Sequence, residues 1–344
     1  MARSMNKTGD QNVEGSQVAL RDRLAYRLIV IGLLFLAVVG AFFYGNAVGT
    51  IKIPFNRILE VLFFDDGSME RLTIWNIRFP RMILGGLVGM NLAIAGALLQ
   101  GVMSNPLADP SIIGISSGAG LFGIFILVIM PQHMALVPIF AFVGAMSAAI
   151  IIYILAWKGG IQPTRIILAG VAVSALFSAG ISGMLVFYSD RVHGALTFMN
   201  GSLSARSWGE VFTILPYSVI GLLLSLMSST HMNILILGDD VARGLGLEVE
   251  KTRMFCTALA ALLAASAVSV VGLLGFVGLI VPHSIRLLIG NDYRFMIPAS
   301  ALLGAALVML SDTFARTVFS PTEIPVGIVM AVLGAPFFLY LLRR

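Results

Sequence analysis

PRMILGGLVGMNLAIAGALLQGVM, residues 80–103, is the stretch on which the fold turns. Past Arg81 it carries no charged residue, and its only polar side chains are Asn91 and Gln100. As a helix it rises about 36 Å, more than the ~30 Å of hydrocarbon in a bilayer. Gly85 and Gly89 stand four apart, which on a helix in lipid marks a place where a second backbone comes close. A run this long and this apolar is predicted to span a membrane.

The rest of the chain repeats that pattern. Of 344 residues, 58% are hydrophobic and 11% are charged, whereas a soluble domain carries roughly 25% charged residues. With so little polar surface the apolar excess has to face lipid. The net charge of +5 does not indicate nucleic acid, because the basic residues are scattered through short loops between apolar runs and form no basic face. Cys256 is the one cysteine, which leaves no internal disulfide and no CxxC metal or redox pair. The first apolar run, from about Leu24, is too long for a secretory leader and is expected to stay as a helix.

A ruler of about 20 residues per crossing predicts ten spans: 25–47, 80–103, 111–129, 134–156, 163–187, 209–229, 252–272, 276–290, 295–317 and 323–342. The eighth is short and interrupted by Gly275, Gly278 and Pro282, a pattern tolerated in lipid only where protein or a cavity covers the freed backbone groups. Most of the 22 Lys and Arg fall on one side if the N-terminus is inside, so the positive-inside rule puts both termini in the cytoplasm. The predicted class is an all-α integral membrane protein. Its ten or so helices form two inverted four-helix repeats, helices two to five and seven to ten, of the kind that recurs in transporters. Residues 1–23 are expected to be a cytoplasmic tail and 24–344 the transmembrane domain, with 231–251 as its longest polar-rich inner loop.

Three motifs narrow the function. The first is Arg78-Phe79-Pro80-Arg81 followed by GALLQGVMSNPLADPSIIGISSGAG at 96–120. The second is LGDDVARGLGLEV at 237–249. The third is GLLGFVGLIVPHSIRLLIGNDYR at 272–294, followed by Asp312, Arg316 and EIPVGIVMAVLGAPFFLYLL at 323–342. In this order, and over residue 24 to the end, they resemble the permease family of bacterial ATP-driven importers for ferric siderophores, haem and cobalamin. The resemblance implies a bacterial inner-membrane protein. It implies a homodimer, or a heterodimer with a sister permease, around one translocation pathway. It also implies two cytoplasmic P-loop ATPase subunits that bind ATP and Mg, and an extracytoplasmic substrate-binding protein. It assigns 238–250 to ATPase coupling, with Gly238, Asp239, Asp240, Val241, Arg243, Leu245 and Gly246 as its residues. It places Arg78, Arg81 and Arg316 on the outer rim, paired with glutamates of the binding protein.

The residues can be read without the resemblance. There is no GxxxxGK[ST] loop and no Gly-Lys dipeptide, so ATP hydrolysis belongs to a partner. In the 231–251 loop, Asp239 and Asp240 are placed to cap a short helix after Gly238. Val241 and Leu245 fall one turn apart on one side of it, an apolar pair that a plain connector has no use for. Met90, Met103, Met184 and Met199, with Asn91 and Gln100, are candidates to line the pathway, since flexible thioethers pass a bulky cargo without gripping it. The four histidines show no metal-ligand spacing, so no metal site and no cofactor of its own are expected. No nucleophile–base constellation points to catalysis. The competing reading is a secondary transporter or channel with no ATPase, but the spans lack the embedded carboxylates that ion coupling uses.

Overall fold

The computed structural model describes residues 24–49, 53–63, 67–111, 114–157 and 163–343; the expected tail 1–23 lies outside them. Among the described residues the chain is helical, with no β-sheet. The helices are α1 Leu24–Ala47, α2 Phe55–Phe63, α3 Met69–Thr73, α4 Phe79–Val102, α5 Ile115–Ile129, α6 Val137–Ala156, α7 Pro163–Phe187, α8 Val192–Asn200, α9 Trp208–Leu235, α10 Asp239–Gly244, α11 Val249–Val271, α12 Val277–Ile289, α13 Tyr293–Thr317 and α14 Val326–Leu342. Helix α3 runs through a π-helical turn, Ile74–Arg78, into α4, so Met69–Val102 is one rod of 34 residues.

Seven helices are long and apolar enough to cross a membrane by length and composition. Three expected spans are shorter: α5 has 15 residues, α12 has 13 and α14 has 17. At 1.5 Å per residue, α12 rises only about 20 Å. Of the interruptions expected at Gly275, Gly278 and Pro282, only Gly275 falls in a break, since Gly278 and Pro282 lie inside an unbroken α12. The break comes before it, at 272–276, where Gly272 and Phe276 take positive φ of 87° and 68°. Its backbone groups are satisfied across segments: Leu273 N–H donates to the Phe198 carbonyl at 2.9 Å, and Ser202 N–H donates to the Val271 carbonyl at 2.8 Å. Irregular backbone at membrane depth survives on such pairing, which is what helix α8, unforeseen in the sequence, supplies.

Helix α4 is the axis of the bundle. Of its 24 residues only Ile83, Leu87 and Met90 are not buried, and their spacing puts them on one stripe. The other faces pack on α9, α11, α12 and α13. Glycines permit this: a methyl on Gly89 would overlap the Gly304 carbonyl of α13, and one on Gly96 would overlap Gly278 of α12. The GxxxG spacing at Gly85 and Gly89 is thus spent within the chain. Gly118 of α5 meets Gly144 of α6 in the same way.

The expected repeats are visible in who packs on whom. Several neighbour pairs within or from α4–α7 have a counterpart from α11–α14. Helix α4 on α13 answers α11 on α6, α5 on α6 answers α12 on α13, and α4 on α12 answers α11 on α5. The five-helix offset between groups makes one copy upside down relative to the other.

Replacing Gly89 by Leu should therefore push α4 off α13. The expected loss is at least the ~1–3 kcal/mol of core overpacking, read as a lower melting temperature of the detergent-purified chain. Gly183→Ala on α7, where a methyl meets nothing within 4 Å, should melt like the parent. Equal melting of the two variants would refute the close approach of α4 and α13 as a source of stability.

Candidate functional site

Two ends of the bundle hold the residues singled out in the sequence. The first is where α1 and α13 end and α4 begins. Arg81, in the first turn of α4, is buried. Its Nε donates to Asp312 Oδ2 at 2.8 Å and its Nη2 to Asp312 Oδ1 at 2.9 Å. Its Nη1 donates to Glu323 Oε2 at 2.9 Å. A fork held bidentately by a buried carboxylate is the strongest geometry open to arginine. Arg78 Nη1 donates to the Asn46 carbonyl at 2.5 Å, and Arg316 Nη2 donates to the Gly45 carbonyl. These are last-turn carbonyls of α1, which have no partner within their own helix. Both guanidinium groups come within reach of Gly49, where a methyl would meet Arg78 Nη2 and Arg316 Nη1.

The three arginines converge at this end of the bundle, and each also has a partner within the chain. All three are buried and committed within the chain, because Asp312, Glu323 and the α1 carbonyls compensate charges that would otherwise seek solvent. Glu323 is the most accessible member, with 40% of its side chain exposed.

At the other end of α4, Gly101 abuts Met232 and Tyr293, and beyond α9 lies the 236–248 segment. Gly238 (φ 100°) and Gly246 (φ 82°) bracket α10, conformations that glycine adopts without a Cβ penalty. The expected capping by Asp239 and Asp240 does not occur. Gly238 is the N-cap, without a side-chain bond. Asp239 instead accepts from Arg253 Nη1 at 3.0 Å and Nη2 at 2.7 Å, tying α10 down onto α11. Arg243 reaches Glu250 at 3.6 Å. Ala242 is buried beneath the helix, while Val241 and Leu245 are 50% and 61% exposed one turn apart. Leu237 extends the same exposed apolar surface.

Close by, Asp292 joins three helices. It accepts from Arg27 of α1 at 3.3 Å and Asn233 of α9 at 2.8 Å, and it caps α13 through the Arg294 N–H at 3.1 Å. The Arg294 side chain, with Asn233, holds this carboxyl down at about 2, so it is ionised throughout the physiological range. Nothing in the sequence singles it out beyond its place between two apolar runs.

The six pathway candidates separate. Asn91 is buried and donates to Ser266 Oγ of α11 at 3.0 Å, Gln100 is buried and donates to the Gly278 carbonyl at 3.1 Å, and Met103 is in the core. These three link helices inside the subunit. Met90 lies on the open stripe of α4 and Met184 is half-buried on α7. Met199 lines a cavity of about 640 Å³ with Leu273, Phe276, Gly327 and Ile328.

This arrangement of short and long helices around a glycine-lined axis is that of a membrane permease, and comparison with known proteins agrees. Residues 33–344 match the FecCD transport family, and the chain belongs to that family. It is 40% identical over 330 residues to the iron(3+)-hydroxamate import system permease protein FhuG of Bacillus subtilis, covering 92% of this chain and 97% of that one. It is 43% identical over 275 residues to the cobalamin import system permease protein BtuC of Halobacterium salinarum, covering 79% and 74%. Among solved structures, an inward-facing metal-chelate type ABC transporter superposes with a TM-score of 0.82 at 26% identity, covering 92% of this chain and 98% of that one. The protein is a multi-pass membrane permease subunit of an ABC importer. It is not an enzyme: hydrolysis takes place on a partner ATPase, and a substrate-binding protein completes the system. The reading as a stand-alone channel or secondary transporter is set aside.

Removing one member of the Arg81–Asp312 pair should cost roughly 3–5 kcal/mol, because the survivor is left buried and uncompensated. Arg81→Met should therefore melt well below the parent, and the double change Arg81→Met with Asp312→Leu should recover most of the loss. A double variant that melts no higher than the single one would show that the pair is not the source of the stability.

Proposed function

We propose that this chain carries a ferric siderophore inward across a bacterial inner membrane, with both termini in the cytoplasm. It pairs with a second copy or a sister permease and works with two P-loop ATPase subunits, which hold the ATP and Mg, and one extracytoplasmic binding protein. Relatives whose names specify iron–hydroxamate and iron–citrate import support ferric chelates as cargo over haem or cobalamin. The exposed apolar pair on α10 carries the mechanical part of the reading. Val241 and Leu245 form a rigid, inward-facing knob on a helix tied by Asp239 to Arg253, which is the form a coupling contact to a motor subunit needs. Gly238 and Gly246 let the knob turn out of the bundle, and Arg243, with Asp240 beside it, lends the rim charge.

At the outer end the reading refines how the binding protein docks. The Asp312 clamp on Arg81 is buried, whereas Glu323 is accessible. A carboxylate of the binding protein can replace Glu323 at Arg81 Nη1 without opening the clamp, and Arg78 and Arg316 supply the surrounding positive field. Charge pairs at such a rim act on encounter and register more than on affinity. The cargo then passes along the subunit interface, where we place Met90, Met184 and Met199. Asn91, Gln100 and Met103 hold the lining helices from behind.

Leu245→Asp puts an unpaired charge into the proposed ATPase contact. The expected outcome is loss of ATPase co-purification by about tenfold or more, the scale of ~1.4 kcal/mol, with the permease still inserted and melting normally. Uptake of labelled ferric hydroxamate by cells expressing the whole system should fall in parallel. If ATPase binding and uptake both stay at the parental level, α10 is not the coupling helix. If uptake of labelled cobalamin alone depends on the chain, the cargo assignment fails while the coupling assignment stands.

A further inference from the structure

At the end of the bundle where α5 and α11 finish and α6 and α9 begin, a cavity of about 450 Å³ is lined by Arg206, Glu210 and Thr213 on one side and by Leu127, Met134 and Phe198 on the other. Arg206 is its unusual member. Its Nε is buried and has no hydrogen-bond partner among the described residues. The nearest carboxylate is Glu210 Oε1, 3.8 Å from Nη1, beyond hydrogen-bonding reach. Glu210 is itself engaged elsewhere: its Oε2 accepts from the Ser207 N–H at 2.9 Å and the Ser207 hydroxyl at 2.8 Å, closing the capping box of α9. Burial depresses the Arg206 guanidinium below its usual range. Arg206 is part-buried, with 27% of its side chain exposed, and a cation whose buried Nε–H goes unused beside an open cavity favours an anion in that space.

The depth of the cavity indicates which anion. Trp208, next to the lining residues Ser207 and Gly209, stacks on Phe212 at 6.0 Å between centroids and lies 5.7 Å from Trp75, over which Arg71 rests at 5.6 Å. Tryptophans grouped at helix ends mark the headgroup level of a bilayer. A soluble anion has no need of the apolar wall of Leu127, Met134 and Phe198, whereas the glycerol and upper acyl carbons of a lipid do.

We propose that this cavity binds the phosphate ester of a phospholipid headgroup. Arg206 donates to the phosphate oxygens, and Glu210 Oε1 faces the amine of an ethanolamine headgroup. The contact would brace the junction of α8, α9 and the irregular 272–276 segment from the outer leaflet, and it does not depend on which chelate is carried.

The test uses the purified full chain in detergent with four probes: dihexanoyl phosphatidylethanolamine, dihexanoyl phosphatidylglycerol, dihexanoylglycerol, and inorganic phosphate. Binding is read by native mass spectrometry. Independently, it is read as protection of a thiol introduced by Thr213→Cys from a maleimide, the one native thiol being buried. Both phospholipids should bind and protect, and the phosphate-free lipid should do neither. Arg206→Gln should weaken binding by about tenfold, the scale of one lost charge-assisted contact. Glu210→Gln, which can still cap α9, should reduce the preference for ethanolamine over glycerol. Protection by inorganic phosphate with none by the lipids would keep the phosphate chemistry but assign a soluble source. The proposal is overturned if neither phosphate source protects the introduced thiol, if dihexanoylglycerol protects as well as the phospholipids, or if a normally melting Arg206→Gln binds as tightly as the parent. The thiol measurement needs no change at Arg206, so it decides the matter even where the arginine variant folds poorly.

Discussion

A helix can occupy the centre of a lipid-embedded bundle only if its neighbours touch its backbone, because apolar side chains gain little by leaving lipid for protein. Helix α4 meets that condition through glycine. Gly89 against Gly304 and Gly96 against Gly278 bring three helix backbones into van der Waals contact along one rod. The dispersion and Cα–H···O contacts that result replace the hydrophobic drive that water would supply to a soluble core. Once α4 is fixed between α12 and α13, its ends determine the rest. One end delivers Arg81 to Asp312, and the other sets Gly101 against Met232 and Tyr293, near the 236–248 segment.

The buried charges make sense in that frame. Arg81 and Asp312 are 231 residues apart in sequence, and either alone would be untenable where it is. Together, and with Glu323, they lock the start of α4 to the end of α13 in a single register, since a bidentate fork accepts one geometry. Arg78 and Arg316 do the same for α1 by occupying carbonyls that its last turn leaves open. Net stabilisation from such pairs is modest; what they fix is position. A face that must meet a partner in one orientation needs that kind of definition.

Much of this architecture is legible in the sequence. Where a helix is long and uniformly apolar, as in α1, α7, α9, α11 and α13, hydropathy alone locates it to within a few residues. The short helices are harder. A span is expected from 111, yet α5 starts at Ile115 after Gly114 at φ 73°, and the bond from Leu273 N–H to the Phe198 carbonyl holds the 272–276 segment in a way no local pattern announces. Helix α8 is only nine residues long, below the length a bilayer ruler detects. The site residues divide along the same line. Charge and motif single out Arg78, Arg81 and Arg316, but their burial depends on partners far along the chain and is not legible locally. Asp239 reads as a cap because capping is a local rule; its actual partner, Arg253, is fourteen residues away and outcompetes the backbone with two charge-assisted bonds. Asp292 has only the local signal of an N-cap, which does not announce its bonds to Arg27 and Asn233, and Arg206 has none.

Coupling between the two ends must travel through rigid bodies, and the bundle offers few joints. Helix α4 has no internal glycine in open space; its glycines are all pressed against neighbouring atoms, so the rod is braced along its length. The looser elements lie elsewhere: a methyl placed on Gly183 of α7 or on Gly275 before α12 would meet nothing within 4 Å, and Gly238, Gly244 and Gly246 around α10 are equally open. The Asp239–Arg253 pair ties α10 to α11, and α11 ends at the 272–276 segment. That segment is bonded to α8 and touches the start of α14, around the cavity that holds Met199. The Asp239–Arg253 pair and α11 thus join α10 by a continuous run of contacts to the irregular backbone beside that cavity. The fold therefore divides into an axis whose glycines are all packed, α4, and glycine-open surroundings at α10 and before α12.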